Sequence, residues 1–117
     1  PRVVETATLQ EAIAELNRKN LGAVFVIAAD GTLLGIVTDG DIRRLLSAGQ
    51  EIGTMPLTTV MTRNPQAINS ECMAADALSI MQQHEITVLA VVSEQDTLVG
   101  ILHLHDLLGK GEFRFLI

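Results

Sequence analysis

The stretch Leu33-Leu34-Gly35-Ile36-Val37 decides the fold, because the chain repeats it as Leu98-Val99-Gly100-Ile101-Leu102. A shift of 65 residues superposes Leu33 on Leu98, and the alignment needs no gap from Val3 to Ile42. Apolar residues stay in phase over this whole length, which chance similarity does not produce. The chain is therefore one unit that occurs twice. Two copies are too few for a solenoid, so we expect a pseudo-symmetric pair.

Each copy predicts a helix, two strands and a second helix. Thr8 and Glu11 form a capping-box pattern before the first helix. Apolar residues follow at one-face helical spacing at Leu9, Ala12, Ile13 and Leu16. Gly22 suits the end of this helix. Two apolar strands, at 24–27 and 33–37, flank the tight-turn pair Asp30-Gly31, and the stretches 88–92 and 98–102 repeat them. The second helices are expected at 40–48 and 105–108.

Composition indicates a globular protein with an aliphatic core. The 117 residues suffice for one ordinary domain or two very small ones. The chain is 48% hydrophobic and 19% charged, which excludes intrinsic disorder. Aromatic residues make up 3%, so a bound ring must be held by Val, Ile, Leu and Ala rather than by stacking.

The charge balance and the single cysteine exclude several classes of partner. Eight basic and 14 acidic residues give a net charge of −6, which argues against nucleic acid as a partner. No apolar run reaches the roughly 18 residues of a membrane span, so we expect no membrane partner and a cytoplasmic location. Cys72 has no second cysteine with which to form an internal disulfide, and we expect a small buried hydrophobe there.

The segment Gly35-Ile36-Val37-Thr38-Asp39-Gly40-Asp41 is the sharpest chemical feature. One interpretation is a second capping box, with Thr38 and Asp41 as partners and no ligand. The other uses the same geometry for binding. Free N–H groups at a helix start suit a phosphate, and a carboxylate one turn away can accept from both hydroxyls of a ribose. Spacing alone leaves both interpretations open.

The chain resembles a tandem pair of cystathionine-β-synthase (CBS) domains, the regulatory Bateman module. The resemblance is carried by G-I-V-T-D-G-D-I at 35–42, G-I-L-H-L-H-D-L at 100–107 and V-M-T-R-N-P at 60–65. T-D-G-D-I-R-R at 38–44, with H-L-H-D-L-L at 103–108, is similar to the C-terminal region of bacterial arabinose-5-phosphate isomerases. Those enzymes join a sugar-isomerase domain to a CBS pair and supply the precursor of 3-deoxy-D-manno-octulosonate (Kdo).

The resemblance implies an α+β fold of two pseudo-symmetric β-α-β-β-α CBS units packed sheet to sheet. The first CBS domain is expected at 1–48, a linker at 49–58, the second domain at 59–109 and a C-terminal tail at 110–117. Nucleotide-binding clefts are expected between the sheets. The candidate ligand-binding residues are Gly22, Ala23, Val24, Thr38, Asp39, Asp41, Arg43, Thr87, Val88, His103, His105 and Asp106. The resemblance implies nine of them, and Asp39, Arg43 and His105 are added as charged or donor groups beside them.

The resemblance also implies a role for each residue of the first copy: Thr38 would face phosphate, Asp41 would hold ribose, and the residues from Gly22 to Val24 would line the base pocket. His103 departs from the Thr pattern of the first copy but can still donate to an anion. Arg43 and Arg44 either form ion pairs or reach an acidic ligand group; the sequence leaves both uses open.

The implied function is a regulatory nucleotide-binding module without catalysis of its own. The expected effector is the cytidine nucleotide of Kdo (CMP-Kdo) or an adenine nucleotide (AMP, ADP or ATP), with no cofactor. The isomerase domain would lie in the same parent chain, and we expect a homodimer or tetramer. His103, His105 and Asp106 also fit part of a zinc site, but a fourth ligand is not evident, so we expect no metal. Two alternatives are a structural oligomerisation module and the CBS pair of a sugar nucleotidyltransferase.

Overall fold

The computed structural model of the chain describes residues 1–19, 22–71 and 74–109. Cys72 and the expected tail at 110–117 lie outside these residues. The chain divides into two compact units, one from Pro1 to Pro65 and one that begins at Gln66. The elements of the first unit are β1 (Arg2–Val4), α1 (Leu9–Lys19), β2 (Ala23–Ile27), β3 (Leu33–Thr38), α2 (Asp39–Ser47), a 3-10 turn (Ile52–Thr54), α3 (Leu57–Val60) and β4 (Thr62–Arg63). Those of the second unit are β5 (Ala67–Asn69), α4 (Ala74–His84), β6 (Val88–Val92), β7 (Leu98–His103) and α5 (Leu104–Gly109).

The first unit is built on a sheet with the strand order β1-β2-β3-β4. β1 runs parallel to β2, whereas β2 with β3 and β3 with β4 are antiparallel. The predicted tight turn joins β2 to β3: Gly31 has a φ of 94°, which glycine adopts without steric cost. Asp30 Oδ1 accepts hydrogen bonds from the N–H and the hydroxyl of Thr32 at 3.1 and 2.8 Å, which fixes the hairpin end.

α1 begins at the predicted capping box. The Glu11 N–H donates to Thr8 Oγ1 at 3.1 Å, and the Thr8 N–H donates to Glu11 Oε1 at 3.5 Å. The apolar face of the helix packs on the sheet. One buried cluster of the first unit consists of Leu9, Ala12, Val26, Val37, Leu57 and Met61. This cluster is aliphatic apart from its methionine, whereas the largest fully buried side chain of the unit is aromatic, Phe25 on β2.

The segment expected to be a linker, residues 49–58, packs within the first unit. Ile52 and Met55 contact the core cluster, and Leu57 is 1% exposed. β4 then pairs with β3, Gly35 opposite Arg63 and Ile36 opposite Thr62. Apolar side chains and this strand pairing hold the segment on the first copy. The compact units therefore divide after Pro65, whereas the sequence places the linker at 49–58.

Gly35 permits the close approach of β4. A Cβ atom at this position would lie 2.7 Å from Met61 Sδ and 2.8 Å from the carbonyl oxygen of Thr62. Both distances are shorter than real Cβ contacts, so only glycine fits without a shift of the neighbouring chain. The glycine of one quoted motif thereby makes room for the V-M-T-R segment of another.

The second unit repeats the first with the predicted shift of 65 residues. Its described sheet has the strand order β5-β6-β7, with β5 parallel and β7 antiparallel to β6. Gly35 pairs with Val26 and Gly100 with Val91, and both hairpins shift register immediately after that pair. A separate buried cluster is formed by Ile68, Ala77, Met81, Leu89 and Leu107. Helices and two small sheets confirm the predicted α+β class.

The second hairpin turn lacks glycine and is held by other means. Asp96 takes the position of Gly31 and has a φ of 62°. The Ser93 hydroxyl oxygen accepts from the N–H groups of Gln95 and Thr97 at 3.3 and 3.2 Å. A side-chain acceptor therefore supports a backbone conformation that aspartate tolerates less well than glycine.

The helix ends differ slightly from their predicted positions. α2 and α5 each begin one residue earlier than expected, at Asp39 and Leu104. Gly22 has a φ of 76°, as a residue after a helix stop requires, although residues 20 and 21 before it lie outside the described part. Among the described residues, no helix combines the length and apolar character needed to cross a membrane.

Candidate functional site

The first candidate site lies where β3 meets α2. Thr38 is the N-cap of α2 and has an extended backbone conformation. The Asp41 N–H donates to Thr38 Oγ1 at 3.2 Å, and the Thr38 N–H donates to Asp41 Oδ2 at 2.9 Å. The predicted capping box is therefore formed. Because Thr38 Oγ1 accepts this bond, its hydroxyl proton remains available to a ligand.

The second oxygen of Asp41 has a partner as well. Arg44, three residues later on α2, donates from Nη2 to Asp41 Oδ1 in an ion pair. The Asp41 side chain is 11% exposed and that of Arg44 is 74% exposed. The pair therefore joins a carboxylate fixed by the cap to a guanidinium that lies mostly in solvent.

A cleft of about 220 Å³ opens beside this ion pair. It lies between α2 and the segment of residues 55–60, which contains α3. Its lining residues are Asp41, Arg44, Leu45, Met55, Thr59 and Val60. α2 contributes two charged groups and an aliphatic side chain, and the facing segment contributes a hydroxyl group beside two apolar side chains. This combination suits a ligand with polar and apolar parts.

The ends of β2 and β3 bring four further predicted residues to the same corner. Ala23 pairs with Thr38 and Val24 with Val37, and both side chains on β2 are buried. The Asp39 N–H donates to the carbonyl oxygen of Gly22 at 3.1 Å. A Cβ on Gly22 would lie 3.4 Å from Asp39 Oδ2, an ordinary contact, so the positive φ of Gly22 is what favours glycine at this position.

Arg43 lies in a different groove from Asp41. Successive residues of a helix point about 100° apart, so Arg43 and Arg44 cannot share a face. Arg43 lines a groove of about 240 Å³ between α1 and α2. The other residues of this α1–α2 groove are Ile13, Leu16, Asn17, Asp39, Ile42 and Leu46. Arg44 is thus the arginine beside Asp41, and its three-residue spacing from Asp41 is the signal that the sequence carried for it.

The second unit presents the corresponding corner with histidines. Val88 pairs with His103, and the Leu104 N–H donates to the carbonyl oxygen of Thr87 at 2.8 Å. The His105 N–H donates to His103 Nδ1 at 3.2 Å, so the imidazole acts at the start of α5 where Thr38 acts on α2. While Nδ1 accepts this bond, Nε2 is the ring nitrogen that can donate to a ligand.

The two imidazole rings meet edge to face, with centroids 6.5 Å apart. The Asp106 side chain lies outside the described residues. Within the residues that are described, no three His, Cys, Asp or Glu side chains cluster as a metal site requires. The zinc interpretation of these residues has no further support from the described geometry.

The resolved pKa shifts lie outside this corner. A side-chain hydrogen bond from Arg18 lowers the pKa of Glu15 on α1 below its ordinary value of 4.5. The hydrogen bonds from Thr32 lower the pKa of Asp30 in the hairpin turn. Both shifts belong to structural hydrogen bonds.

Comparison with protein families and known sequences places the chain among regulatory modules. The family model described as CBS domain matches residues 1–48 and 57–111. Arabinose 5-phosphate isomerase KdsD of Pseudomonas aeruginosa is 40% identical over 111 residues, which is 95% of this chain and 34% of that protein. KdsD of Francisella tularensis is 43% identical over 114 residues, 97% of this chain and again 34% of the relative. The chain thus spans about a third of the length of these curated relatives.

Solved structures share the fold. A CBS domain protein from Pyrobaculum aerophilum complexed with AMP has a TM-score of 0.80 at 25% identity, covering 90% of this chain and 80% of that one. An uncharacterised conserved protein from Pyrococcus horikoshii has a TM-score of 0.77 at 30% identity, covering 99% and 87%. With two matched copies, the chain belongs to the CBS domain family, as a tandem pair similar to the CBS region of arabinose 5-phosphate isomerases.

Proposed function

We propose that this chain is the regulatory nucleotide-binding CBS pair of a D-arabinose 5-phosphate isomerase and catalyses no step itself. The observation that carries the proposal is the shared position of Thr38 and Asp41 at one capped helix start, beside a cleft of about 220 Å³. The relative from Pyrobaculum aerophilum is complexed with AMP, and we extend a ligand of that class to this chain. The catalytic domain would belong to the rest of the parent protein, in the cytoplasm.

In this proposal, each polar group of the first corner has a distinct role. The Thr38 hydroxyl, which keeps its proton, donates to a phosphate oxygen. The Asp41 carboxylate accepts from the ribose hydroxyls, and Gly22, Ala23 and Val24 border the base. Asp39 lies over Gly22 and closes that side.

The second corner would hold a second nucleotide. Thr87 and Val88 take the places of Gly22 and Ala23, and His103 takes that of Thr38. Nε2 of His103 is the group that would donate to an anion, because Nδ1 is occupied by the His105 N–H. Asp106 would hold the ribose, and the His105 ring would offer a further donor.

The effector is proposed to be CMP-Kdo, the activated end product of the pathway that such an isomerase feeds. Its sugar carboxylate, which adenine nucleotides lack, would meet the donors of the corner that binds it. Calorimetric competition tests this identity. CMP-Kdo should bind more tightly than CMP, because CMP lacks the sugar acid. If AMP, ADP or ATP binds more tightly than CMP-Kdo, the chain senses adenine nucleotides instead.

A comparison of two capping boxes tests the site itself. Asp41→Ala and Glu11→Ala each remove the carboxylate of a capping box, but Glu11 belongs to α1 and has no proposed ligand role. Each should lower the free energy of unfolding by about 1 kcal/mol. Asp41→Ala adds about 0.5 kcal/mol for its exposed partner Arg44.

Nucleotide affinity separates these two variants. Asp41→Ala should cost about 1.5–3 kcal/mol of binding free energy, the range for a hydrogen bond to a charged group. Glu11→Ala should cost none, and calorimetry measures both. If the two variants bind the nucleotide equally well, Thr38 and Asp41 are a helix cap and nothing more.

A second candidate function is assembly of the parent enzyme into a dimer or tetramer. The observation that favours it is the α1–α2 groove, where Leu46 is 60% exposed beside Ile13, Leu16 and Ile42. A ligand that binds the folded state raises the melting temperature, whereas a pure scaffold melts at the same temperature with or without nucleotide. A thermal-shift screen therefore discriminates the two functions. The CBS pair of a sugar nucleotidyltransferase, the remaining alternative, is less favoured because the two curated relatives reported above are arabinose 5-phosphate isomerases.

A further inference from the structure

We infer that Arg44 determines the charge specificity of the Thr38–Asp41 site, favouring anionic ligands over neutral ones of the same shape. The inference rests on the proposed nucleotide-binding function of that site. It concerns a residue that the sequence left undecided, because Arg43 and Arg44 offered the same chemistry.

In the Asp41–Arg44 ion pair, the carboxylate is held in place and the guanidinium is mostly exposed to solvent. Thr38 holds Asp41 through the capping box, and the carboxylate is 11% exposed. Arg44 is 74% exposed and reaches Asp41 Oδ1 from three residues along α2. A long side chain in solvent can leave such a pair at little cost, because exposed ion pairs contribute little to stability. The guanidinium is therefore the member of the pair that can move.

Gly40 leaves open space between Arg44 and the proposed phosphate donor. A Cβ on Gly40 would lie 3.5 Å from Arg44 Nη1 and 3.6 Å from Thr38 Oγ1. The guanidinium and the hydroxyl thus flank the same bare Cα atom. One small anion above Gly40 can contact both groups, and Arg44 needs only a short movement from Asp41 to reach it.

This geometry makes the ligand's charge decide the cost of binding. A ribose hydroxyl that donates to Asp41 Oδ1 competes with Arg44 for that oxygen. When a neutral nucleoside binds, the displaced guanidinium loses its carboxylate and gains only water. When a nucleotide binds, the same guanidinium exchanges the carboxylate for the phosphate, which suits its planar donor fork. Arg44 thus lowers the affinity for neutral ligands and raises the affinity for anionic ones.

Arg43 provides the matched control. It is the same residue type on the same helix, and its removal changes the net charge equally. It lines the α1–α2 groove with Ile13 and Leu16 instead of the cleft beside Asp41. If the arginines attract the nucleotide only through their net charge, both variants should lose the same nucleotide affinity. If Arg44 makes a specific contact with the phosphate, only the Arg44 variant should lose affinity.

The experiment measures the dissociation constants of adenosine, AMP, cytidine and CMP by calorimetry for the wild type, Arg44→Gln and Arg43→Gln. For each base, the ratio of nucleoside to nucleotide dissociation constant should fall about tenfold in Arg44→Gln, the loss expected for one charge-assisted contact near solvent. The ratio should stay within about twofold of the wild type in Arg43→Gln, because that side chain lies elsewhere.

Two results would overturn the inference while the proposed function stands. One is an unchanged ratio in Arg44→Gln, and the other is an equal fall in both arginine variants. A wild-type protein that binds CMP-Kdo but none of the four compounds also overturns the inference alone, because phosphate charge then does not select the ligand. A wild-type protein that binds none of these compounds and no CMP-Kdo overturns the proposed function as well. Because Arg44 is largely exposed, its variant should lose only the small contribution that an exposed ion pair makes to stability, which denaturation verifies.

Discussion

Gly35→Ala and Gly100→Ala test whether the close approach of β4 is a real constraint on the fold. The two glycines occupy the same position of the repeat. A methyl group on Gly35 would meet Met61 Sδ at 2.7 Å and the Thr62 carbonyl oxygen at 2.8 Å. A methyl group on Gly100 would have its nearest contact, Val91 Cβ, at an ordinary 3.7 Å. The same substitution is therefore a clash in one copy and a tolerated contact in the other.

The expected magnitude follows from these contacts. Overpacking a well-filled site costs about 1–3 kcal/mol, whereas Gly→Ala at a compatible position gains about 0.4–1 kcal/mol through the unfolded chain. Gly35→Ala should therefore lower the free energy of unfolding, and the two variants should differ by about 2–3 kcal/mol. Urea unfolding followed by circular dichroism, with linear extrapolation, measures the difference.

A second background separates the side-chain clash from the backbone clash. In Met61→Ala, the contacts of the new methyl group with Sδ and Cγ disappear, but the Thr62 carbonyl oxygen remains. Gly35→Ala should therefore cost less in that background than in the wild type, yet more than nothing, and a double-mutant cycle gives the coupling. If Gly35→Ala and Gly100→Ala unfold with equal free energies, the packing argument for Gly35 is refuted.

Three further predictions follow from other features. Asp96→Gly should raise the free energy of unfolding by about 0.5–1 kcal/mol in urea titrations, because Asp96 has a φ of 62° where the first copy has glycine; a loss of stability would contradict this. Arg18→Gln should raise the pKa of Glu15 towards 4.5 in a carboxyl NMR titration. The pKa of Glu15 is lower in the folded state than in the unfolded chain. The wild type should therefore be more stable than the variant above pH 4.5, and this difference in the free energy of unfolding should disappear as the pH falls through the folded-state pKa. A difference that does not change with pH would contradict the ion pair as its cause. Leu46→Lys should reduce the mass measured by light scattering if the α1–α2 groove joins copies, whereas Val99→Lys, at a similarly exposed valine, should not; a monomeric wild type would contradict assembly.

The sequence predicted the repeat and the hairpins because local signals determine them. Apolar runs and turn residues recur at a constant shift, and the register of both hairpins confirms it. β4 escaped prediction because Thr62–Arg63 is short and polar, without any alternation to reveal it. Its pairing depends on the bare Cα of Gly35 and on the buried neighbours Leu57 and Met61, which are tertiary contacts.

Some features of the candidate site could likewise be predicted from local sequence, and others could not. The Thr38–Asp41 capping box was predictable because its partners lie three residues apart in sequence. The choice between Arg43 and Arg44 was left open, although the three-residue spacing of Arg44 from Asp41 carried a signal for it. The position of Arg43 depends on which face of α2 meets α1, which is a tertiary contact. The acceptor role of His103 was also missed: spacing suggests a donor, but the neighbouring His105 N–H needs an acceptor and takes Nδ1.

The packing of residues 57–65 on the first unit determines where the chain can be joined to another protein in a chimera. The second match to the CBS family model begins at residue 57, yet Leu57, Met61 and β4 complete the core and sheet of the first unit. A chimera joined within residues 49–58 would carry those parts away with the second copy, leaving the first copy with an unfilled core and an open strand edge. A junction placed after Pro65 keeps them together. The sequence repeat and the compact structural unit are therefore different lengths of chain. Only the compact unit, which ends at Pro65, can be exchanged intact between proteins.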